Sequence, residues 1–372
     1  MLVLCLLASM VPLAIAGLAL INSGLSRSRS AAHAMLAPLC VMAVAVLAYF
    51  VCGRWLQSST SRSDAAWLEM FSVALAAIIP LGAAGERWRL GAACASTAIF
   101  AGLIYPLFAH CAGWLAQMGF RDAGGSATIQ AVGGLTALAI ARLLGPRHGK
   151  YDSVGTPAAF PGHNAVLVLF GCFLTWIGWI GLNGEGSLRI APDSANLPEI
   201  VANTTLSAAA GLLAAAALTR ARFGRPDASL CANGWTAGLV ASSGACTWMT
   251  PAAAICVGAV AGLMVTFCVE LLDVRLRIDD PAGSISVHAA GGIWGVLAVA
   301  IFGPGKWSAQ LAGIAALLLV VLPMSFALNW LLNRFYPQRV SPDAEPHGLD
   351  LYELGAGAYP EFVTRREDFR PR

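Results

Sequence analysis

The chain has 372 residues, of which 58% are hydrophobic and only 12% charged, and its mean hydropathy is +0.69. A soluble domain carries about a quarter charged residues, so the composition excludes one and indicates a multi-span membrane protein whose partner is the lipid bilayer. The net charge of +3 carries no signal of nucleic-acid binding.

Eleven apolar stretches of roughly 20 residues are predicted as spans, at about 2–22, 32–52, 64–84, 91–113, 124–144, 163–183, 197–219, 229–249, 251–273, 283–303 and 308–332. Within the first, Ala14-Ile15-Ala16 resembles a signal-peptidase site, but no Lys or Arg precedes it and Arg27 and Arg29 follow. A signal peptide wants a basic start, so a retained first helix is expected. With the N-terminus outside, 18 of the 23 Lys and Arg residues fall on inner segments and 5 on outer ones. That asymmetry predicts an N-out, C-in arrangement. Ten cysteines are scattered along the spans without a CxxC pair, and inside apolar helices Cys behaves as a small hydrophobe. Neither a disulfide framework, a metal site nor a cofactor is indicated. No nucleophile–base pair or phosphate loop is visible, so no enzyme is expected.

Spans 5 and 10 carry a repeat. Gly125-Ser126-Ala127-Thr128-Ile129-Gln130-Ala131-Val132-Gly133-Gly134 reads against Gly283-Ser284-Ile285-Ser286-Val287-His288-Ala289-Ala290-Gly291-Gly292, 158 positions later. Asp122 and Asp280 each stand eight residues before the central polar residue. Because five is odd, the second half runs through the membrane upside down relative to the first. The predicted architecture is an all-α membrane domain over 1–332: an inverted five-helix repeat (about 1–150 and 151–305) plus one helix at about 308–332. A cytoplasmic tail follows over 333–372, too short for a domain and suited to docking or regulation. Polar residues at matching depth in two inverted halves point to a pore or transport site.

On each span the central residue and the glycines three and four positions on share one face. Small residues there let two helices approach closely, so Gln130 and His288 are expected to meet near the midplane. The plainer alternative is that the two only cross-link helices by hydrogen bonds. Asp122, near the outer end of span 5, is placed to cap the start of that helix. Trp176, Trp179 and Trp294 are expected to pack, Glu86, Arg87, His163 and Asn183 to organise helix ends, Arg121 to anchor at the interface, and Glu270 to pair with a basic neighbour.

The chain also resembles the ammonium transporter (Amt/Mep/Rh) family, as a divergent member. Gly17-Leu18-Ala19-Leu20 with Gly24-Leu25 and Arg27-Ser28 is similar to its GLALxxxGLxRS. Gly82 to Arg87 is similar to GAxAER, and Asp122 to Gly134 to DFAGxxVVHxxGG. His163-Asn164 with Trp176 to Asn183 resembles HN…WFGWFGFN. Arg277 to Gly295 resembles RIDDPxDxFxVHxxxGIWG, and Gly348-Leu349-Asp350 the GLD of the tail. Six motifs in order, over about 340 residues, are a specific match.

The resemblance implies an eleven-helix, N-out homotrimer with a pore in each protomer for ammonium or ammonia. It also implies a bacterial inner-membrane location and a PII-type regulatory protein at the cytoplasmic face. Carried over residue by residue, the second pore histidine is His288 and the first is replaced by Gln130. The recruiting aspartate is Asp122, whereas a tenth-helix aspartate falls on Gly283 and is lost. The vestibule hydroxyl falls on Thr205, the inner gate on Val201 in place of Phe, and the outer gate near Phe71. The vestibule tryptophan has no exact counterpart. His110-Cys111-Ala112-Gly113 stands where His-x-x-Trp belongs, and Trp114 is the candidate substitute.

An imidazole can take a proton on one nitrogen and release it from the other. Gln130 offers two donors and an acceptor but does not ionise, so hydrogen bonding survives the substitution and proton relay along the pair does not. The expected function is ammonium or ammonia conduction with an altered mechanism. The alternative is a non-conducting ammonium sensor or regulatory homologue, and a third reading is a channel for another small solute.

Overall fold

A computed structural model describes residues 1–57 and 65–362; Arg62, Arg365, Arg366, Arg370 and Arg372, which enter the charge asymmetry, lie outside these residues. Among the described residues the chain is helical throughout, with no strand. Ten helical stretches are long and apolar enough to cross a bilayer. They are α1 (Leu2–Leu25), α2 (Ser28–Gln57), α3 (Trp67–Ala84), α4 (Leu90–Met118), α5 (Ser126–Leu144), α6 (Ala165–Ile190) and α7 (Leu197–Phe223), then α9 (Pro251–Leu276), α10 (Ile285–Phe302) and α11 (Trp307–Phe335). The helix between α7 and α9, α8 (Ala228–Ala245), falls at the eighth predicted span but is less apolar. From Cys231 on it is almost wholly buried, and Asn233, Thr236, Ser242 and Ser243 lie against protein. A helix surrounded by other helices need not match lipid.

Packing in the first five helices recurs in the next five. α2 packs on α3 and α4 as α7 packs on α8 and α9, and α3 meets α5 as α8 meets α10. Across the halves, α1 lies along α6 and α5 crosses α10. The α1–α6 seam is made by small residues: a Cβ on Gly17 would run into Gly171 and Thr175, and one on Gly178 into Ala14. At the second crossing a Cβ on Gly134 would strike the backbone of His288 and Ala289, and one on Gly292 that of Ser126 and Ala131. Such seams let backbones touch where lipid offers no hydrophobic driving force between helices.

Side chains hold the helix starts. Asn164, Asp227 and Thr250 accept from the backbone N–H three residues on at the starts of α6, α8 and α9. Each satisfies a donor that the helix itself leaves free. Two further starts are capped by the tail: Asp350 accepts from Ala32 and His33 N–H in the first turns of α2, at 3.0 and 2.7 Å. Glu353 accepts from Leu90 N–H at 2.8 Å and bonds His33 Nε2 at 2.8 Å.

The turns on the same face are clamped by ion pairs. Arg147 bonds Glu86 at 2.6 Å and Asp279 at 2.9 and 3.0 Å, and Arg27 also pairs with Glu86. Glu86 has φ 66°, a left-handed conformation that costs a non-glycine residue about 1 kcal/mol. Its two arginine partners hold it there. Burial works to raise the Asp279 carboxyl, but the Arg87 and Arg147 guanidiniums outweigh it and hold the pKa below the ordinary range. Glu270 makes a two-pronged bond to Arg222, at 2.6 and 3.1 Å.

Candidate functional site

The α5 and α10 helices begin alike. Each follows a glycine with positive φ, Gly125 at 85° and Gly283 at 71°, and opens with a wide π-helical stretch, Ser126–Ala131 and Ile285–Ala290. Each stretch is held by the preceding aspartate. Asp122 Oδ2 accepts from Ala127 N–H, Thr128 N–H and the Thr128 hydroxyl at 2.9–3.1 Å. Asp280 accepts from Ser284 and Ile285 N–H at 2.9 and 2.8 Å. Burial pushes the Asp280 carboxyl up to about 7 and raises that of Asp122, in both cases against the pull of the N–H donors. The wide turns bring the central residues to the crossing of the two helices, a setting in which π-bulges often serve function.

At that crossing His288 Nδ1 lies 2.8 Å from Gln130 Oε1. Both residues are buried, at 2% and 0% exposure. An amide oxygen only accepts, so Nδ1 carries the proton and the neutral ring presents Nε2 as an acceptor. Among the described residues, Gln130 Nε2 and the Ser286 hydroxyl are buried without a hydrogen-bond partner. The centre therefore presents an acceptor and an unspent N–H donor in an otherwise closed core. Leaving a buried polar atom unpaired costs about 1–3 kcal/mol, which a small polar guest would offset.

A cavity of about 750 Å³ opens on the face opposite the tail. Asp122 and Thr128 line it, and among the described residues Asp122 Oδ1 is buried without a partner. The carboxylate therefore caps with one oxygen and keeps the other unspent. Trp248, Arg121, Glu69 and Arg189 complete the polar and aromatic wall. The sequence places Trp248 inside the predicted span 229–249, but the helix stops at Ala245 and leaves it in the turn that follows; for Glu69 the available signal is an acidic residue inside an apolar span.

The other candidates lie elsewhere. Trp114 is 58% exposed on α4, whose Ala109, Ala112, Gly113 and Ala116 face the cavity instead. Thr205 accepts from Trp176 Nε1 at 2.9 Å and donates to Val201 O at 2.8 Å. Val201 is 37% exposed on the same face of α7. Phe71 packs partly buried against the core. None of these four is brought to the cavity wall. At Gly283 the space for a side chain is filled by the Asn233 amide from α8. Trp179 and Trp294 pack with their indole N–H groups bonded to Ser243 and Val257, and Asn183 ties the middle of α6 to Thr204 and Ser242 rather than a helix end. Arg121 donates to Ala116 and Phe120 carbonyls.

The profile of the Ammonium Transporter Family matches residues 54–359. Ammonium transporter Amt2 of Archaeoglobus fulgidus is 34% identical, over 94% of this chain and 85% of its own length. A putative ammonium transporter of Synechocystis sp. is 33% identical, over 91% and 84%. Among solved structures, a sensor Amt protein superposes with a TM-score of 0.90 at 28% identity, covering 95% of this chain and 97% of its own. Mep2 of Saccharomyces cerevisiae, at 24% identity and TM-score 0.82 over 98% and 92%, shares the fold.

Proposed function

Since the chain belongs to the ammonium transporter family, whose members are multi-pass membrane transporters rather than enzymes, we propose that it passes ammonia across the membrane between Gln130 and His288. Ammonium is gathered in the cavity beside Asp122. The observation that carries this reading is the 2.8 Å His288–Gln130 bond with the Gln130 amide nitrogen left unpartnered. Ammonia is both donor and acceptor, and the pair offers one site of each kind. The amide cannot relay a proton, so the neutral molecule moves without a charge through this pair.

The test is an ammonium pulse on liposomes holding the purified chain, read by internal pH and by current. A rise in internal pH without current is expected, and Gln130→His should add current. No flux while ammonium binding persists would overturn conduction. That result would favour the second reading, a sensor, which the likeness to a sensor Amt protein supports.

The same reading takes the chain as an N-out, C-in homotrimer of eleven spans in a bacterial inner membrane, with repeat halves at about 1–150 and 151–305. Recurrent packing in the two halves supports the repeat. A tail seated on the face opposite the cavity supports placing a PII-type partner there.

A further inference from the structure

Beside the cavity, three charged side chains and a phenol form a compact cluster outside the Asp122–Gln130–His288 line. Arg189, at the end of α6, donates to Glu69 Oε2 at 2.5 Å and lies 3.3 Å from Glu185 Oε1, one turn back on its own helix. Tyr105 of α4 donates to the other Glu69 oxygen at 2.5 Å. Glu69 and Arg189 both line the cavity. Glu185 is only 3% exposed, and its Oε1 accepts no hydrogen bond among the described residues despite the guanidinium beside it.

Two buried carboxylates face one cation, so the cluster keeps a net negative charge. Removing a carboxylate pair from water is costly unless cations answer it. Arg189 reaches the cavity on a flexible stem and its side chain is 24% exposed.

We propose that Glu69, on the cavity wall, and Glu185, buried behind Arg189, form a second cation site for a small monovalent cation of the ammonium class. Arg189 occupies it as a tethered competitor. The site deepens the ammonium reading by adding an occupant upstream of Asp122, and it rests on that reading only for the identity of the natural cation. Arg189 is then a positioning residue: while it is seated, the site is filled, and its departure opens a place for a free cation.

The test uses the full chain in detergent, with thermal midpoint measured against ammonium chloride and choline chloride holding ionic strength constant. Arg189→Ala is expected to melt below the unsubstituted protein in choline. It should recover with ammonium, or with guanidinium at low millimolar concentration, at a half-effective ammonium concentration about tenfold below that of the unsubstituted protein. Adding Glu69→Gln to Arg189→Ala should abolish the recovery. An Arg189→Ala protein no more responsive to ammonium than the parent, or an undiminished response in the double variant, would overturn the proposal. Should Arg189→Ala not fold, Arg189→Lys keeps a cation with only one nitrogen. Its ammonium response should exceed the parent's, and an equal response overturns the proposal. The readout is binding, so a chain that fails to conduct in liposomes leaves this result interpretable.

Discussion

At the scale of single residues, angular position on a helix decides what enters the cavity. Along α4 the residues facing it are Ala109, Ala112, Gly113 and Ala116, a face repeating at three and four positions. Trp114 lies about 100° further round and projects away. Trp248 is the tryptophan on the wall. Its ring can attract a cation by about 0.5–2 kcal/mol. Trp248→Ala is therefore expected to raise the half-saturating ammonium concentration several-fold, whereas Trp114→Ala leaves it within about twofold. Liposome flux checks both, and equal effects would remove Trp248 from the recruiting wall. The aspartate, amide and imidazole were legible in the sequence because the repeated decapeptide fixes their register. The aromatic was not, because motif spacing breaks down where the 110–114 segment is short. Glu69 and Arg189 escaped notice for a different reason. They are 120 positions apart, and only the tertiary fold makes them neighbours.

At the scale of elements, the packing of small residues sets the centre. Gly134 and Gly292 let α5 and α10 cross in backbone contact, and the 2.8 Å bond between Gln130 and His288 depends on that approach. Gly134→Ala would place a Cβ against the backbone of His288 and Ala289, which cannot yield as a flexible side chain does. Overpacking of this kind costs about 1–3 kcal/mol. A lowered melting midpoint and loss of ammonia flux are expected together; flux unchanged in a protein of normal stability would show that the crossing does not hold the pair. The same periodicity accounts for Thr205 and Val201. Asn203, Thr204 and Ser207 form the buried face of α7, so residues 201 and 205, one turn apart, are placed on its outer side. Sequence alignment assigns such residues a role, but the helix's rotation in the bundle decides whether they can fill it.

For the whole molecule, the charge count was legible because every turn carries its sign into the sequence. The cavity opens among the turns with few basic residues, and the ion-pair clamp of Glu86, Arg147 and Asp279 lies at the other end. If the basic end is cytoplasmic, Asp193→Cys in a variant without other accessible thiols should react with a membrane-impermeant maleimide added outside intact cells. Asp343→Cys should react only after the membrane is opened. The reverse pattern would invert the orientation. Among the described residues, ten of the eleven predicted stretches coincide with helices long and apolar enough to cross a bilayer, and α8 owes its burial to its neighbours rather than to its own apolarity.

The tail has a consequence for experiments that shorten it. Asp350 and Glu353 cap the first turns of α2 and α4, so those residues are part of the scaffold whether or not a partner lands there. A chain cut before Asp350 loses two helix caps, worth about 0.5–2 kcal/mol each. If a regulatory partner also reads the tail, truncation phenotypes mix an untied membrane helix with a missing signal. Point changes beyond Glu353 separate them, provided they spare Tyr359, whose hydroxyl lies 3.0 Å from His163 Nε2.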